Sequence, residues 1–263
     1  MKNITKLTTA ALLGTIALGV VAPAAHAETS PDVIGKGHIE FKQEKPENPD
    51  PTPGGEEGPE ITKPTPNPDP NPLKIVSVTE MDFDINEVPV GNAARSYDVL
   101  PFETTEVAPE GEEETPLKTA HFVRYMDVRA DGFENHHTIK AKLTQQFAHN
   151  DHEGKFLDGA KLLYKKITLE AGNGTNDTNT PSATAVEDAA SAEIKEDVQT
   201  IIVENKEAGK GRGVFDIIFD KKADKSEYTK EAYRGVSLEV PAAVNMLTGV
   251  YTGEVTWTIE DAR

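Results

Sequence analysis

Cysteine is absent from this sequence of 263 residues. That absence excludes disulfides, iron–sulfur clusters, thiolate zinc sites and cysteine nucleophiles together. Positive charge is also scarce, because 27 Lys and Arg stand against 45 Asp and Glu, which gives a formal net charge of −18. Nucleic acids and anionic membranes bind cationic faces that displace counterions. We therefore expect neither of them as a direct ligand.

Recognisable catalytic motifs are missing too. The sequence has no Gly-x-Ser-x-Gly elbow, no His-Glu-x-x-His pair and no phosphate-binding loop. The glycines at 209, 211 and 213 lie between strand-like segments, whereas a nucleotide fingerprint needs a following helix. Carboxylates are so abundant that a glycosidase pair stays open, but none can be picked out. We predict a protein that is not an enzyme and needs no cofactor.

Only one long apolar run is present, and it lies at the start of the chain. Lys2 and Lys6 precede the 15 apolar-rich residues from Leu7 to Val21, and Ala25-His26-Ala27 supplies small residues around a cleavage point. This order is typical of a secretory signal, and the run is shorter than the roughly 20 residues that span a bilayer. We predict a signal peptide over 1–27 and no membrane span. Residues 256–263 contain no sorting motif, so we expect retention on a cell to be non-covalent.

A proline-rich acidic stretch separates a short segment from the rest of the chain. Residues 46–72 contain ten of the 18 prolines. Proline fixes φ and removes backbone donors, so we predict an extended, disordered linker over 46–72, either a spacer through a wall layer or a linker without positional role. The preceding segment, 28–45, includes Gly37–Phe41, whose alternation resembles a strand. It is either a strand that docks on the main sheet or a disordered tag.

Residues 73–263 are predicted to form one β-domain. Apolar residues alternate with polar ones over 139–143, 215–219, 236–240 and 251–259, and segments 74–80, 120–128 and 161–169 are further strand candidates. Turn-rich stretches divide them. Residues 184–205 could hold a short helix at best. The predicted fold class is all-β, an antiparallel sandwich or barrel-like single domain with long loops and little helix.

Two polar clusters are candidates for metal sites. The acids between Glu103 and Glu114 do not have the spacing of a calcium loop, which favours a solvated loop. The run from His149 to Glu153 packs two histidines with two acids, but a zinc site needs three or four ligands and the run looks like a polar turn. We predict no metal.

The ending Leu247–Ile259 resembles the distal motif of the WxL-domain family of secreted surface proteins from low-GC Gram-positive bacteria. In that family the last strand carries a Tyr and then Trp-x-Leu; here these are Tyr251, Trp257 and Ile259. Other segments resemble the family in the same order. They are Gly37–Phe41, the Pro-Asp linker, Met81–Ile85, the Asp-x-Arg end of Val123–Arg129, Leu157–Leu162 and Val236–Pro241.

The proximal motif of the family departs from its pattern. A Gly-Trp-x-Leu should follow the Asp-x-Arg segment, but His137 takes the Trp position if Ile139 is the Leu. Trp257 is the single tryptophan of the chain. The resemblance links wall attachment to both motifs, so it implies binding residues at Trp257, Ile259, Tyr251, His137 and Ile139 and leaves wall binding by this chain open. Trp257 itself is either core, which we favour, or a surface ring that stacks on a sugar.

The resemblance implies a secreted, non-catalytic protein of the cell surface and cell wall. Its expected partners are peptidoglycan or another wall component, companion surface proteins, or a host matrix protein. Teichoic acid is a poor candidate because it shares the protein's negative charge. Two rival functions remain: a freely secreted adhesin and, less favoured, a glycan hydrolase of the wall.

Overall fold

In a computed structural model of the chain, residues 39–40, 61–91, 93–108, 111–172, 174–181, 191–220 and 231–263 are described. The predicted signal peptide and residues 46–60 of the predicted linker lie outside these ranges. The chain divides into two compact units, Met1–Phe41 and Lys42–Arg263. In the first, Ile39 and Glu40 are exposed and belong to no strand. Every strand given below belongs to the second.

Nearly all regular secondary structure in the described part of the second unit is in β-strands. Their order is β1 Leu73–Val78, β2 Arg95–Asp98, β3 Phe102–Glu106, β4 Thr115–Thr119, β5 His121–Asp127, β6 His137–His149, β7 Lys161–Tyr164, β8 Ile167–Ala171, β9 Ala192–Ile194, β10 Thr200–Asn205, β11 Gly213–Phe219, β12 Val236–Val240 and β13 Tyr251–Asp261. A 3₁₀ turn, Asp177–Asn179, follows β8. The predicted all-β class is confirmed, with 47% strand and 2% helix.

Four antiparallel sheets make up the architecture. The strand orders are β1-β5-β11-β8, β10-β6-β13, β2-β12-β7-β9 and the hairpin β3-β4, and none of these sheets closes into a barrel within the described ranges. Trp257 of β13 contacts Tyr164 of β7 and Phe219 of β11, so side chains from three different sheets meet in one hydrophobic core. Burial of these large rings is the main force that holds the sheets together.

Two sequence predictions differ from the structure. Strands β9 (Ala192–Ile194) and β10 (Thr200–Asn205) lie in the region where the sequence allows a short helix at best. Ile194, Ile202 and Val203 are buried there, and β-branched side chains favour strands. The candidate strand 161–169 is two strands, because the backbone turns at Lys166, whose φ is 48°.

The last part of the predicted linker packs against the β-domain. Ile61 is buried in the core, and the backbone N–H of Thr62 donates to the Thr105 carbonyl at 3.0 Å. Asn67, Asp69 and Asn71 each accept a backbone hydrogen bond from the residue two positions on, which orders the prolines between them. Residues 61–72 are therefore ordered, in contrast to the disorder predicted for them.

Candidate functional site

The two motif-like segments lie side by side in one sheet. Strand β13 pairs antiparallel with β6, and the register places Ile259 opposite Ile139, Asp261 opposite His137 and Trp257 opposite Ala141. Segments about 120 positions apart in the sequence thus form a single structural element. The register also decides which side chains point to the core, since alternate residues of a strand point to opposite faces.

Trp257 is part of the hydrophobic core. The side chain is 9% exposed, and its ring meets Tyr164 edge-on at 5.6 Å and Phe219 at 6.0 Å between centroids. Its indole N–H has no partner among the described residues. The same burial raises the pKa of Tyr164. The placement agrees with the core interpretation that the sequence favoured.

Tyr251 lies at the other end of β13 and is half-buried. Its ring packs edge-on against His149 at 4.9 Å, and its hydroxyl accepts a hydrogen bond of 2.9 Å from the backbone N–H of Leu247. His149 is itself held by the Thr248 carbonyl, at 2.9 Å from its Nε2. Residues 150–154 are bends and turns, as the polar run predicted. No group of three or more metal-type ligands occurs in the described part of the chain.

His137 occupies a buried polar network. It is fully buried, its Nδ1 lies 3.0 Å from the Asn135 carbonyl and 3.4 Å from Asp127 Oδ2, and its ring contacts Tyr125 edge-on. Asp127 also accepts two hydrogen bonds from Arg129, of 2.8 and 2.6 Å, and one from Asn135 of 2.9 Å. A buried carboxylate is stable only when it is saturated in this way.

The partners of Asp127 in this network set the pKa of its carboxyl group. Burial alone would raise the pKa of Asp127, but the hydrogen bonds from Arg129, His137 and Asn135 outweigh it and lower the pKa to about 2. Arg129 forms a second ion pair, of 2.8 Å, with Asp261 at the end of β13. The network therefore joins the start of β6 to the end of β13, directly beyond the paired Ile139 and Ile259.

Comparison with known proteins decides the family. The family model for the WxL domain, described as surface cell wall-binding, matches residues 28–262, nearly the whole chain. The chain belongs to the WxL domain family. The match begins at the residue that follows the predicted cleavage point. No curated protein and no solved structure matches the chain.

The WxL motifs of this chain face inward. Trp257, His137 and Ile139 are buried, and Tyr251 and Ile259 are half-buried. The structure brings all five to the β6–β13 pair, but Trp257, His137 and Ile139 offer a wall ligand almost no accessible surface. As binding residues they stay predictions. As structural residues, these three side chains pack on or beside the β6–β13 pair, within the sheet β10-β6-β13.

The polar network was only partly visible in the sequence. The Asp-x-Arg pattern of Asp127 and Arg129 was noted as a strand end, and the structure confirms that β5 ends at Asp127. The partner role of Asp261 was missed, because it depends on the pairing of two distant strands. The described part of the chain also contains no helix long and apolar enough to cross a membrane.

Proposed function

We propose that this WxL-domain protein is exported, stays on the outer surface of a Gram-positive cell by non-covalent contact with peptidoglycan, and acts there as a binding or scaffold module without catalysis. The family match carries this proposal, since it covers residues 28–262 and the family is described as surface cell wall-binding. The finer elements, namely export, peptidoglycan as the ligand and companion surface proteins as further partners, are inferences from sequence.

Charge supports the choice of peptidoglycan over anionic wall polymers. The net charge of −18 repels polyphosphate chains, whereas the sugar backbone of peptidoglycan is uncharged wherever its lactyl groups carry peptides. Binding should therefore survive both the removal of teichoic acid and an increase in salt concentration.

Sedimentation with isolated walls tests the proposal. The purified protein is mixed with peptidoglycan stripped of teichoic acid and with intact walls, and the pelleted fraction is measured against protein concentration. We expect saturable pelleting with both. Protein that stays in the supernatant with both preparations, and that is found only in the culture medium, would identify a freely secreted protein. Release of soluble sugars from the walls would identify a hydrolase.

A further inference from the structure

An exposed aromatic ring lies four residues before His137, in the loop that leads into β6. Phe133, in the loop between β5 and β6, is 72% exposed, although large apolar side chains of this domain are mostly buried. Its loop begins after the end of β5 and leads into His137, and the guanidinium of Arg263, two residues beyond the end of β13, lies against its ring. Phe133 thus stands at the edge of the element that carries both motifs.

The loop that carries Phe133 is anchored at both ends. Arg129 donates to the His136 carbonyl at 2.9 Å, and Asn135 donates to the Arg129 carbonyl at 3.2 Å. Within the loop, Asp131 accepts the backbone N–H of Phe133 at 3.3 Å and Gly132 has a φ of +89°, which forms a tight turn. A loop backbone held in this way loses little conformational freedom when it binds a ligand.

Polar groups frame the ring. The guanidinium of Arg263 lies over one face of the Phe133 ring, 5.6 Å from its centroid, and it is fixed there by Asp131 at 2.6 Å and Asp261 at 2.7 Å. Asp131 is about half exposed, and Glu134 lies next to the ring in sequence with an oxygen 2.7 Å from the backbone N of Gly209. Exposed carboxylates can accept hydrogen bonds from hydroxyl groups, and guanidinium groups can donate to carbonyls and ring oxygens.

We propose that Phe133, with Asp131 and Arg263 beside it, is a glycan-binding site that takes the N-acetylhexosamine backbone of peptidoglycan. The C–H face of a sugar ring is apolar and carries a partial positive charge, so it would stack on the face of the Phe133 ring opposite Arg263. The hydroxyl and acetamido groups at the rim of the sugar then reach Asp131 and Arg263. A neutral ligand also suits a protein with a net charge of −18.

This inference rests on the proposed wall binding and assigns different roles to two sets of residues. The buried motif residues Trp257 and His137 hold the sheet and the network, whereas Phe133 makes the contact. Loss of a motif residue therefore unfolds the protein or loosens the loop. Loss of the Phe133 ring weakens binding and leaves the fold intact.

Substitutions at Phe133 test the assignment with a matched control. Phe133→Ala and Phe133→Leu should bind walls about tenfold more weakly, because each removes the stacking ring, while Phe133→Trp should retain binding. Phe156→Ala is the control, since Phe156 is a second exposed phenylalanine, at 43%, in a different loop. All four variants should keep the thermal unfolding midpoint of the wild type within a few degrees. The soluble tetramer of β-1,4-linked N-acetylglucosamine should compete with walls for the wild type.

The outcomes separate this inference from the proposed function. Equal pelleting of Phe133→Ala and wild type would overturn the inference and leave wall binding intact, and so would full binding by Phe133→Leu. Binding that depends on Phe133 but is not competed by the tetramer would overturn the sugar assignment. If the wild type does not pellet, the proposed function fails, and direct titration with the tetramer then decides: shifts of the Phe133 ring resonances support the site, and their absence overturns it.

Discussion

The two motif positions of this WxL domain lie on paired strands, but their side chains have contrasting surroundings. Around Trp257 the interior is apolar and aromatic, whereas around His137 it is a network of charges made by Asp127, Arg129 and Asp261. The family pattern expects a Trp at both positions. Here one position is held by ring packing and the other by hydrogen bonds, in strands that are direct neighbours.

This difference teaches how one sheet can tolerate the loss of a motif aromatic. A ring stabilises through buried area and needs only apolar neighbours. A buried His needs polar partners, and Asn135 and Asp127 supply them at 3.0 and 3.4 Å. Such a network contributes stability only while every member is present, because a buried charge without its partner is costly. Substitutions at the two ends of the β6–β13 pair should therefore lower the stability of the protein for different reasons.

The largest effect is expected from the aromatic end. Trp257→Ala should lower the free energy of unfolding by about 3–5 kcal/mol, since it deletes a buried ring and leaves a cavity between three sheets. Urea denaturation measures the loss. Trp257→Phe is the matched variant, and it should cost less because part of the contact with Tyr164 and Phe219 remains. A fully stable Trp257→Ala protein would show that this ring does not hold the core.

The polar end should respond to the loss of one charge. Asp127→Asn keeps the shape of the side chain but weakens its bonds to Arg129 and His137, and we expect it to cost about 1.5–3 kcal/mol. Denaturation at pH 7 gives the value. Asp197→Asn is a control, because Asp197 is an exposed partner of Lys142 at 3.4 Å and should cost little. Equal effects of the two substitutions would contradict a special role for the buried network.

The dependence of stability on acid pH should also distinguish the two ends of the β6–β13 pair. The pKa of Asp127 in the folded protein is about 2, below its ordinary value of 3.8, so its contribution is present above about pH 4 and is lost as the pH falls towards 2. His121 acts in a different window. Burial lowers the pKa of His121 from 6.5 to about 4, despite the hydrogen bond to the Leu100 carbonyl. The unfolded chain therefore binds a proton that the folded chain does not, and the folded protein loses stability as the pH falls from about 6.5 to 4.

Denaturation curves from pH 2 to 7 check this. Between pH 4 and 2 the stability of Asp127→Asn should fall less steeply than that of the wild type, while Trp257→Phe should keep the wild-type slope. Between pH 6.5 and 4 all three proteins should lose stability in parallel, because each retains His121. A wild-type slope in Asp127→Asn below pH 4 would assign the acid sensitivity to other carboxylates.

Restoring the family residue sharpens the comparison further. His137→Trp should destabilise the protein by about 1–3 kcal/mol, because the site is fully buried and closely packed against Tyr125 and a larger ring strains it. The substitution also removes the contacts of Nδ1 with Asn135 and Asp127. Thermal unfolding measures the change. A stabilised variant would mean that the polar network is a weak replacement for an aromatic core.

The sequence predicted the class of fold and several strands because their pattern is local. Strand β12 was expected over 236–240 and lies there, since alternating apolar residues set its buried face. Strands β2, β3 and β4 were missed because their sequences are largely polar and they are stabilised by pairing with distant segments. The helix considered for 184–205 was wrong over 192–205, where tertiary pairing of β9 and β10 decides the structure.

The candidate site shows the same limit. A Trp in an alternating strand could be placed in the core from composition and period alone. The network around Asp127 could not be predicted, because Asp261 reaches Arg129 only through the register of β6 and β13, which no local pattern specifies. The exposure of Phe133 likewise follows from how its loop is anchored, and an aromatic residue after Asp131 and Gly132 gives only a weak sign of it.

The smallest effects are expected from substitutions of Ile139 and Ile259, the two isoleucines that lie opposite each other. Leu is the family residue at both positions. Ile139→Leu should cost about 1 kcal/mol, because Ile139 is fully buried and its branch point cannot shift without repacking. Ile259→Leu should change stability by about 0.5 kcal/mol or less, since the half-buried Ile259 can relax towards solvent. Urea denaturation of both variants and of the double variant measures the pair. A larger cost at Ile259 than at Ile139 would show that burial of the side chain does not set the cost of these substitutions. A double variant as stable as the wild type would show that the two side chains repack together.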